Sequence, residues 1–291
     1  MSPHGPLPND PIAVSPEEML AFQDFFYRKT GIRLDAKRRS FTDRRLAERM
    51  RLTGSRSFRD YFMLVRFQTG EQELQHLINE MTVNETYFLR EDYQFDCLAR
   101  NMLDEVVRGR PPGDRLRIWS VPCSTGEEPY SLAISILENW SKADVYDIEI
   151  LASDVDSRVL GKARDGLYEE RALHRVPQAL RSRYFHAVAG GKWQVIDELR
   201  QSIDFSLINV FDPAQMARMR QIDVIFCRNL LIYFDEASRR QVAETFFDCL
   251  RPGGFICLGH SESMSRISPL FTPRKFPDAL VHQKPLPFQP L

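Results

Sequence analysis

Cysteine is sparse and scattered in this 291-residue chain: Cys97, Cys123, Cys227, Cys249 and Cys257 are odd in number and form no C-x-x-C pair. A disulfide scaffold and a structural zinc site are thereby excluded, and a reducing, cytoplasmic setting is expected. Long apolar runs are missing too, none approaching the ~18–20 residues that span a bilayer. The first fifteen residues have no apolar core and carry Pro3, Pro6, Pro8 and Pro11, so no signal peptide is expected there. Charge of either sign is not in excess: 39 Lys+Arg against 40 Asp+Glu leaves −1, unlike a nucleic-acid coat or an acidic solubilising protein. Glycine-rich phosphate loops are also absent, with neither G-x-G-x-x-G nor G-x-x-x-x-G-K-[ST] in the chain. What remains, 43% hydrophobic and 27% charged residues, is an ordinary globular composition with ample material for a core.

Organisation follows from punctuation. A proline-rich tail covers residues 1–14, and a second covers 285–291. Residues 15–82 read as helical. Ser15-Pro16-Glu17-Glu18 supplies an N-cap, a first-position proline and first-turn acids, and Met19, Phe22, Phe25 and Phe26 follow at helical spacing. Further helices are expected at 36–53, 57–69 and 71–81. Residues 83–114 form a linker with its own helix at 91–107, closed by the breaker cluster Arg108-Gly-Arg-Pro-Pro-Gly-Asp114. From 115 to 284 short Ile/Val/Phe-rich runs (116–121, 148–152, 223–227, 255–259) alternate with helical stretches (127–140, 158–165, 236–250). That rhythm predicts α/β architecture: a parallel sheet whose ligand site lies at the carboxyl ends of its strands. Residues 199–205 fit the same sheet, and 192–196 fit a small inserted hairpin.

The first strand ends in Ser120-Val-Pro-Cys-Ser-Thr-Gly-Glu-Glu-Pro-Tyr130, where Gly126 is the one glycine and Glu127 and Glu128 follow it. An acidic turn repels phosphate and suits a phosphate-free cation with ribose hydroxyls, a description that S-adenosylmethionine fits. The same acids would also serve simply as helix N-terminal residues facing the macrodipole. The second strand ends in Ala152-Ser-Asp154-Val-Asp156; one of these aspartates can accept ribose hydroxyls, and either can cap the next helix. The turn Leu250-Arg-Pro-Gly-Gly254 leads into a late strand in the manner of many S-adenosylmethionine-dependent methyltransferases.

Five segments in order, Asn84-Glu-Thr86-Tyr-Phe-Leu-Arg90, Ser124-Thr-Gly-Glu-Glu-Pro-Tyr-Ser131, Ala152-Ser-Asp-Val-Asp156, Ile225-Phe-Cys-Arg-Asn-Leu-Leu-Ile-Tyr-Phe234 and Gly259-His-Ser-Glu262, resemble the chemotaxis receptor glutamate methyltransferase (CheR) family across roughly residues 15–284. The resemblance implies an all-helical N-terminal receptor-recognition domain. It further implies a Rossmann-like methyltransferase domain with a small inserted antiparallel β-subdomain, about 183–205. The implied reaction is methyl transfer from S-adenosylmethionine to glutamate carboxylates of chemoreceptors, leaving S-adenosylhomocysteine and using no metal. It assigns Asn84, Thr86, Arg90, Glu128, Asp154, Asn209, Val210, Arg228 and Asn229 to the cofactor. Arg90 and Tyr233 fall to catalysis, Tyr233 lying beside the reacting sulfonium. On the residues alone, Arg90 could instead form a surface pair with Glu91 or Asp92, and Tyr233 could be a half-buried aromatic. His260 reads as a strand-end hydrogen-bonding residue and Cys227 as core.

The stretch 37–51 holds seven basic residues and two acids, Asp43 and Glu48; Arg38, Arg45 and Arg49 are spaced to share a helix face, with Phe41, Leu46 and Met50 inward. Alone this is a solvated charged face. The resemblance makes it the surface that meets an acidic receptor helix. The implied partner is the cytoplasmic helical region of chemoreceptors, met by a monomer at membrane receptor arrays, with no nucleic acid and no membrane insertion; a regulatory adaptor stays open. Some family members grip a receptor's C-terminal pentapeptide with the β-subdomain. Here Phe185-His-Ala-Val-Ala-Gly-Gly-Lys-Trp-Gln-Val195 is about three residues shorter, so independence from the pentapeptide is expected. The competing readings are a nucleic-acid methyltransferase, which would want an Asn/Asp-Pro-Pro-Tyr/Phe loop where Arg228-Asn-Leu-Leu-Ile-Tyr233 stands, and a non-catalytic cofactor-binding module.

Overall fold

The computed structural model describes residues 14–34, 39–68 and 70–286. Two compact units divide the chain, Met1–Thr82 and Val83–Leu291.

The first unit is helical: α1 (Pro16–Thr30), α2 (Arg39–Thr53), α3 (Phe58–Met63), which runs on as π-type turns over Leu64–Gln68, and α4 (Gly70–Met81). Ser15 opens α1 as the sequence predicts. Its hydroxyl accepts from the Glu18 N–H at 3.2 Å while the Glu18 carboxylate accepts from the Ser15 N–H at 2.9 Å, a reciprocal capping box. Gly31, at φ 70°, ends the helix in the left-handed conformation. Phe22, Phe26, Leu46, Met50, Phe58, Tyr61 and Leu77 fill the core. On α2 the inward row is Thr42, Leu46 and Met50; Phe41, expected inside, is only partly buried and lies under the Arg45 guanidinium at 5.2 Å.

Helix α2 is less free a basic surface than its composition suggests. Arg49 makes two hydrogen bonds to the Glu73 carboxylate, at 3.0 and 2.5 Å, and the Tyr61 hydroxyl donates to the same carboxylate at 2.9 Å. Arg45 donates to Glu80 at 2.7 Å. Glu73 and Glu80 stand seven residues apart on α4, so one face of that helix answers one face of α2. Arg38 lies outside the described residues.

The second unit carries the sheets. A helical run, α5 (Asp92–Cys97), π-type turns over Leu98–Met102, and α6 (Leu103–Val106), precedes β1 (Arg115–Ser120), α7 (Glu127–Asn139), β2 (Asp147–Asp154) and α8 (Ser157–Asp165). Then come β3 (Leu167–Glu169), α9 (Gln178–Tyr184), β4 (Phe185–Val188), β5 (Lys192–Val195), α10 (Asp197–Gln201), β6 (Ile203–Leu207) and α11 (Pro213–Met216). The chain closes with β7 (Ile222–Cys227), α12 (Glu236–Cys249), β8 (Leu250–Leu258), β9 (Thr272–Lys275) and β10 (Leu280–Gln283). The large sheet has the order β6-β2-β1-β7-β8-β10-β9, and β3-β5-β4 form a separate antiparallel sheet. From β6 to β8 the neighbours are parallel; β10 runs against both β8 and β9. The expected α/β class with an inserted antiparallel sheet is what the chain adopts. Every residue of β7 is buried, which explains why its apolar run is so easy to read.

Two boundaries differ from expectation. The small sheet begins at Leu167, well before 183, and Ile203–Leu207 pairs with β2 in the large sheet, so the insert is not the span 183–205. The turn Pro252-Gly-Gly254 lies inside β8, where pairing with β7 shifts register between Ile222 and Val224. No helix among the described residues is long and apolar enough to cross a membrane.

Because Arg49 is nearly buried against Glu73, removing the acid strands a guanidinium in the helical core. Glu73→Ala should cost about 3 kcal/mol, in the range for breaking a buried pair. The unit has no tryptophan, so far-UV circular dichroism in urea is the measurement, and a lowered midpoint is the expected outcome.

Candidate active site

The carboxyl ends of β6, β2, β1 and β7 lie side by side, and the strand order reverses about β1. Asp154 is the last residue of β2 and is 3% exposed. One carboxylate oxygen accepts from the Ser124 N–H at 2.8 Å and the other from the Asp156 N–H at 2.9 Å. Burial pushes its pKa up to about 6, with the backbone N–H bonds pulling the other way. A carboxylate has about four acceptor positions, so these bonds leave capacity for a hydroxyl donor. Asp156, by contrast, caps α8 by accepting from the Arg158 and Val159 N–H groups, and takes a further bond from the Asn84 amide at 3.0 Å. Of the two aspartates, Asp156 is therefore the one that caps α8.

Gly126 begins α7 at φ 96°. A Cβ there would stand 2.9 Å from both the Ala163 Cβ and the Tyr168 hydroxyl, so this glycine serves close packing rather than a phosphate cradle. Buried Glu127 and partly buried Glu128 follow, and desolvation raises the pKa of each. Glu128 accepts from the Ser120 hydroxyl at 2.8 Å and receives Arg228 at 3.0 Å. Arg228, whose side chain is 3% exposed, also reaches Glu91 at 3.3 Å, donates to the Arg90 carbonyl, and lies over the Phe95 ring at 5.4 Å. Arg228 and Glu128 are thus each other's partners.

Residues 84–91 are bound across these strand ends. The Ser124 hydroxyl donates to the Asn84 carbonyl at 3.4 Å, the Phe88 N–H donates to the Ala172 carbonyl at 3.0 Å, and the Leu89 N–H donates to the Ser131 hydroxyl at 3.0 Å. Phe88 packs edge-on against Tyr168 and Phe185 of the small sheet, at 4.8 and 5.0 Å. Leu89 and Glu91 sit at φ 59° and 57°, a conformation this anchoring must hold. Arg90 is half-buried, donates to the Glu85 carbonyl at 2.9 Å and lies 5.9 Å from the Tyr87 ring centroid. The acid next to it pairs with Arg228, so the surface pair Arg90–Glu91 is not what forms. Thr86 is partly buried in the same segment.

Asn209 and buried Val210 follow β6, with the Ile208 N–H bonded to the Asp154 carbonyl at 3.0 Å. Asn229, at φ 59°, and partly buried Tyr233 occupy the loop after β7, Tyr233 in a short 3₁₀ turn, Leu231–Tyr233. Seven of the nine cofactor positions expected from sequence therefore lie on strand-end loops or the segment laid across them, Asp154 ends β2, and Glu128 stands in the first turn of α7. Arg45 and Arg49 belong to the other unit.

Two acids escaped the sequence reading. Glu91 and Glu262 both hold the site's framework, and Glu262 could have been suspected from its place in Gly259-His-Ser-Glu262. His260 is largely exposed, 3.6 Å from Glu91. Cys227 is fully buried and its thiol pKa is raised by burial, as a core residue's should be. Among the described residues no cluster of three His, Cys, Asp or Glu could hold a metal.

Six carboxylates (Glu91, Glu127, Glu128, Asp154, Asp156, Glu262) stand against four cations in this region, the guanidiniums of Arg90, Arg158 and Arg228 and the ammonium of Lys162. Such an assembly repels phosphate and fits a cationic ligand with ribose hydroxyls. If ionised Asp154 accepts those hydroxyls, binding must weaken as pH falls through about 6, because protonation removes the acceptor's charge. Calorimetry with S-adenosylhomocysteine should show affinity falling about tenfold from pH 7.5 to pH 5, a slope that Asp154→Asn flattens. Nicotinamide dinucleotides should give no heat at either pH.

Comparison with known proteins agrees with this geometry. The family model for the CheR methyltransferase SAM binding domain matches residues 84–279, and that for the CheR methyltransferase all-alpha domain matches 17–82. Chemotaxis protein methyltransferase 2 of Vibrio cholerae is 47% identical over 274 residues, covering 94% of this chain and 95% of the relative. Chemotaxis protein methyltransferase 2 of Pseudomonas aeruginosa is 38% identical, with 87% of this chain and 89% of the relative covered. The chemotaxis protein methyltransferase of Escherichia coli is 33% identical, with 90% of each covered. With a strand-end site suited to S-adenosylmethionine and both domains matched, the chain belongs to the CheR family of S-adenosylmethionine-dependent methyltransferases.

Proposed function

We propose that this protein esterifies glutamate side chains on the cytoplasmic helices of chemoreceptors. The observation that carries the reading is the acid-lined set of strand ends centred on Asp154, suited to a cationic methyl donor, in a chain of the CheR family. A carboxylate substrate is already anionic at neutral pH, so its oxygen needs no base to attack. Bound S-adenosylmethionine supplies an electrophilic methyl group on a sulfonium. The new bond joins carboxylate oxygen to methyl carbon, the carbon–sulfur bond breaks, and its electron pair leaves with sulfur as the neutral thioether S-adenosylhomocysteine. The protein's part is alignment and exclusion of water, worth about 7–11 kcal/mol when geometry is right. Asp154 accepts the ribose hydroxyls, with Asn84, Thr86, Asn209, Val210 and Asn229 around the remainder. Arg90 orients a carboxylate, and the Tyr233 hydroxyl positions the reacting groups.

Receptor recognition falls to α2. Arg45, about one-third exposed, can present its charge to an acidic helix. Arg49 contributes by fixing α2 through Glu73. The β4–β5 hairpin closes through Ala189, Gly190 and Gly191, the glycines at φ 79° and 68°, leaving a four-residue edge strand in β4. So short an edge supports independence from a receptor's C-terminal pentapeptide.

Labelled S-adenosylmethionine with a receptor cytoplasmic fragment is the decisive assay. Base-labile methyl ester on the receptor is expected, at similar rates with and without the receptor's tail. Tyr233→Phe should lower kcat about tenfold with a smaller change in cofactor affinity, and Asp154→Asn should do the reverse. Label on nucleic acid, or cofactor binding with no transfer, would overturn the reading.

A further inference from the structure

The loop after β7 turns sharply. Asn229 is left-handed and residues 231–233 form a single 3₁₀ turn, so the first N–H groups of the loop find no partners within it. They find one in Glu262, which follows β8. One oxygen of its carboxylate accepts from the Asn229 N–H at 2.8 Å and from the Gly259 N–H at 2.9 Å, and the other accepts from the Leu231 N–H at 2.7 Å. Backbone N–H groups converging on one anion form an anion-binding concavity, here filled by the protein's own side chain.

Gly259 makes room for it. A Cβ at that position would lie 2.8 Å from the Asn229 side-chain nitrogen, 2.9 Å from a Glu262 oxygen and 3.2 Å from the Asn229 backbone nitrogen. The preceding residue in the loop, Arg228, is gripped by Glu128 and Glu91. The loop is therefore fixed twice over, by its side chain on one flank and by its backbone on the other.

We infer that Glu262 is a positioning residue for methyl transfer: by gathering the N–H groups of Asn229 and Leu231 it sets where Asn229 and Tyr233 stand. The inference rests on the function proposed above, which gives Tyr233 its place beside the reacting groups. Glu262 itself touches no reacting atom, so its loss should act on kcat and on cofactor affinity and leave the KM for receptor unchanged.

The test uses the full-length protein with Glu262→Ala and Glu262→Gln, the latter keeping shape while turning an amide NH₂ toward N–H donors. Each is assayed for receptor methylation, S-adenosylhomocysteine affinity, backbone amide exchange and thermal midpoint. Expected are a kcat loss of about 10- to 100-fold, the range for a misplaced reacting geometry, an unchanged receptor KM, and faster exchange at the Asn229 and Leu231 amides. Added formate should restore the Glu262→Ala enzyme saturably by refilling the nest, which a general loss of stability would not allow. If the alanine variant fails to fold, the glutamine variant decides by the same kcat, KM and exchange readouts. Wild-type kcat with wild-type exchange in either variant overturns the inference, as does a kcat loss that formate leaves unmoved while exchange rises uniformly along the chain. Should the wild-type protein methylate no receptor, the functional reading fails; the positioning of the loop is then judged by exchange and S-adenosylhomocysteine affinity alone.

Discussion

One buried cation, Arg228, ties the candidate site together. Its side chain is 3% exposed, and its partners come from different parts of the unit: Glu128 from α7, Glu91 from the turn before α5, and the carbonyl of Arg90. Removing a charge from water costs several kcal/mol, and an uncompensated guanidinium here would destabilise the fold. With both acids present the cost is offset, and three chain segments are obliged to meet. The left-handed backbone at Leu89 and Glu91, held also through Phe88 and Ser131, becomes tolerable because this network over-determines it.

That constraint also orders the electrostatics. Glu128 is committed to Arg228 and Ser120, so it is not a free anion, whereas Asp154 keeps acceptor capacity after its backbone bonds. Of the acids around the strand ends, Asp154 is thus the one best placed to recognise hydroxyls. Its burial raises its pKa to about 6. Between its ordinary value and pH 6 the folded protein binds the additional proton, so ionising this group works against folding as pH rises through that window. A ligand that donates to the carboxylate recovers part of that free energy. The site is held in a state that binding improves.

Much of this was legible in sequence where the determinants are local. The cap Ser15-Pro16-Glu17-Glu18, the buried run of β7 and the acid at the tip of β2 each depend on neighbours within a few residues. What escaped depends on distant ones. Strand β3 has three residues and β9 contains Pro273, so neither offers a pattern to read; Pro273 is tolerable because β9 is an edge strand. The pairing of the basic face of α2 was hidden for a related reason. Arg45 and Arg49 meet Glu80 and Glu73, 35 and 24 residues onward, and no local charge count reveals that pairing. Whether Asp154 or Asp156 capped α8 was likewise undecidable until the backbone N–H groups had positions.

A phosphate-binding loop gathers backbone N–H groups around an empty space and leaves the ligand to bring the anion. Here the protein supplies the anions. Asp154 takes the N–H groups of Ser124 and Asp156, Asp156 takes those of Arg158 and Val159, and Glu262 takes those of Gly259, Asn229 and Leu231. Backbone N–H groups at the ends of β1, β2, β7 and β8 are thus held by the protein's own carboxylates. The consequence is an acid-lined set of strand ends, which disfavours phosphate and favours a cation. The missing glycines of the phosphate fingerprint and the surplus of acids that replaces them are therefore one design, because a loop that carries its own anion has no need to wrap around a ligand's.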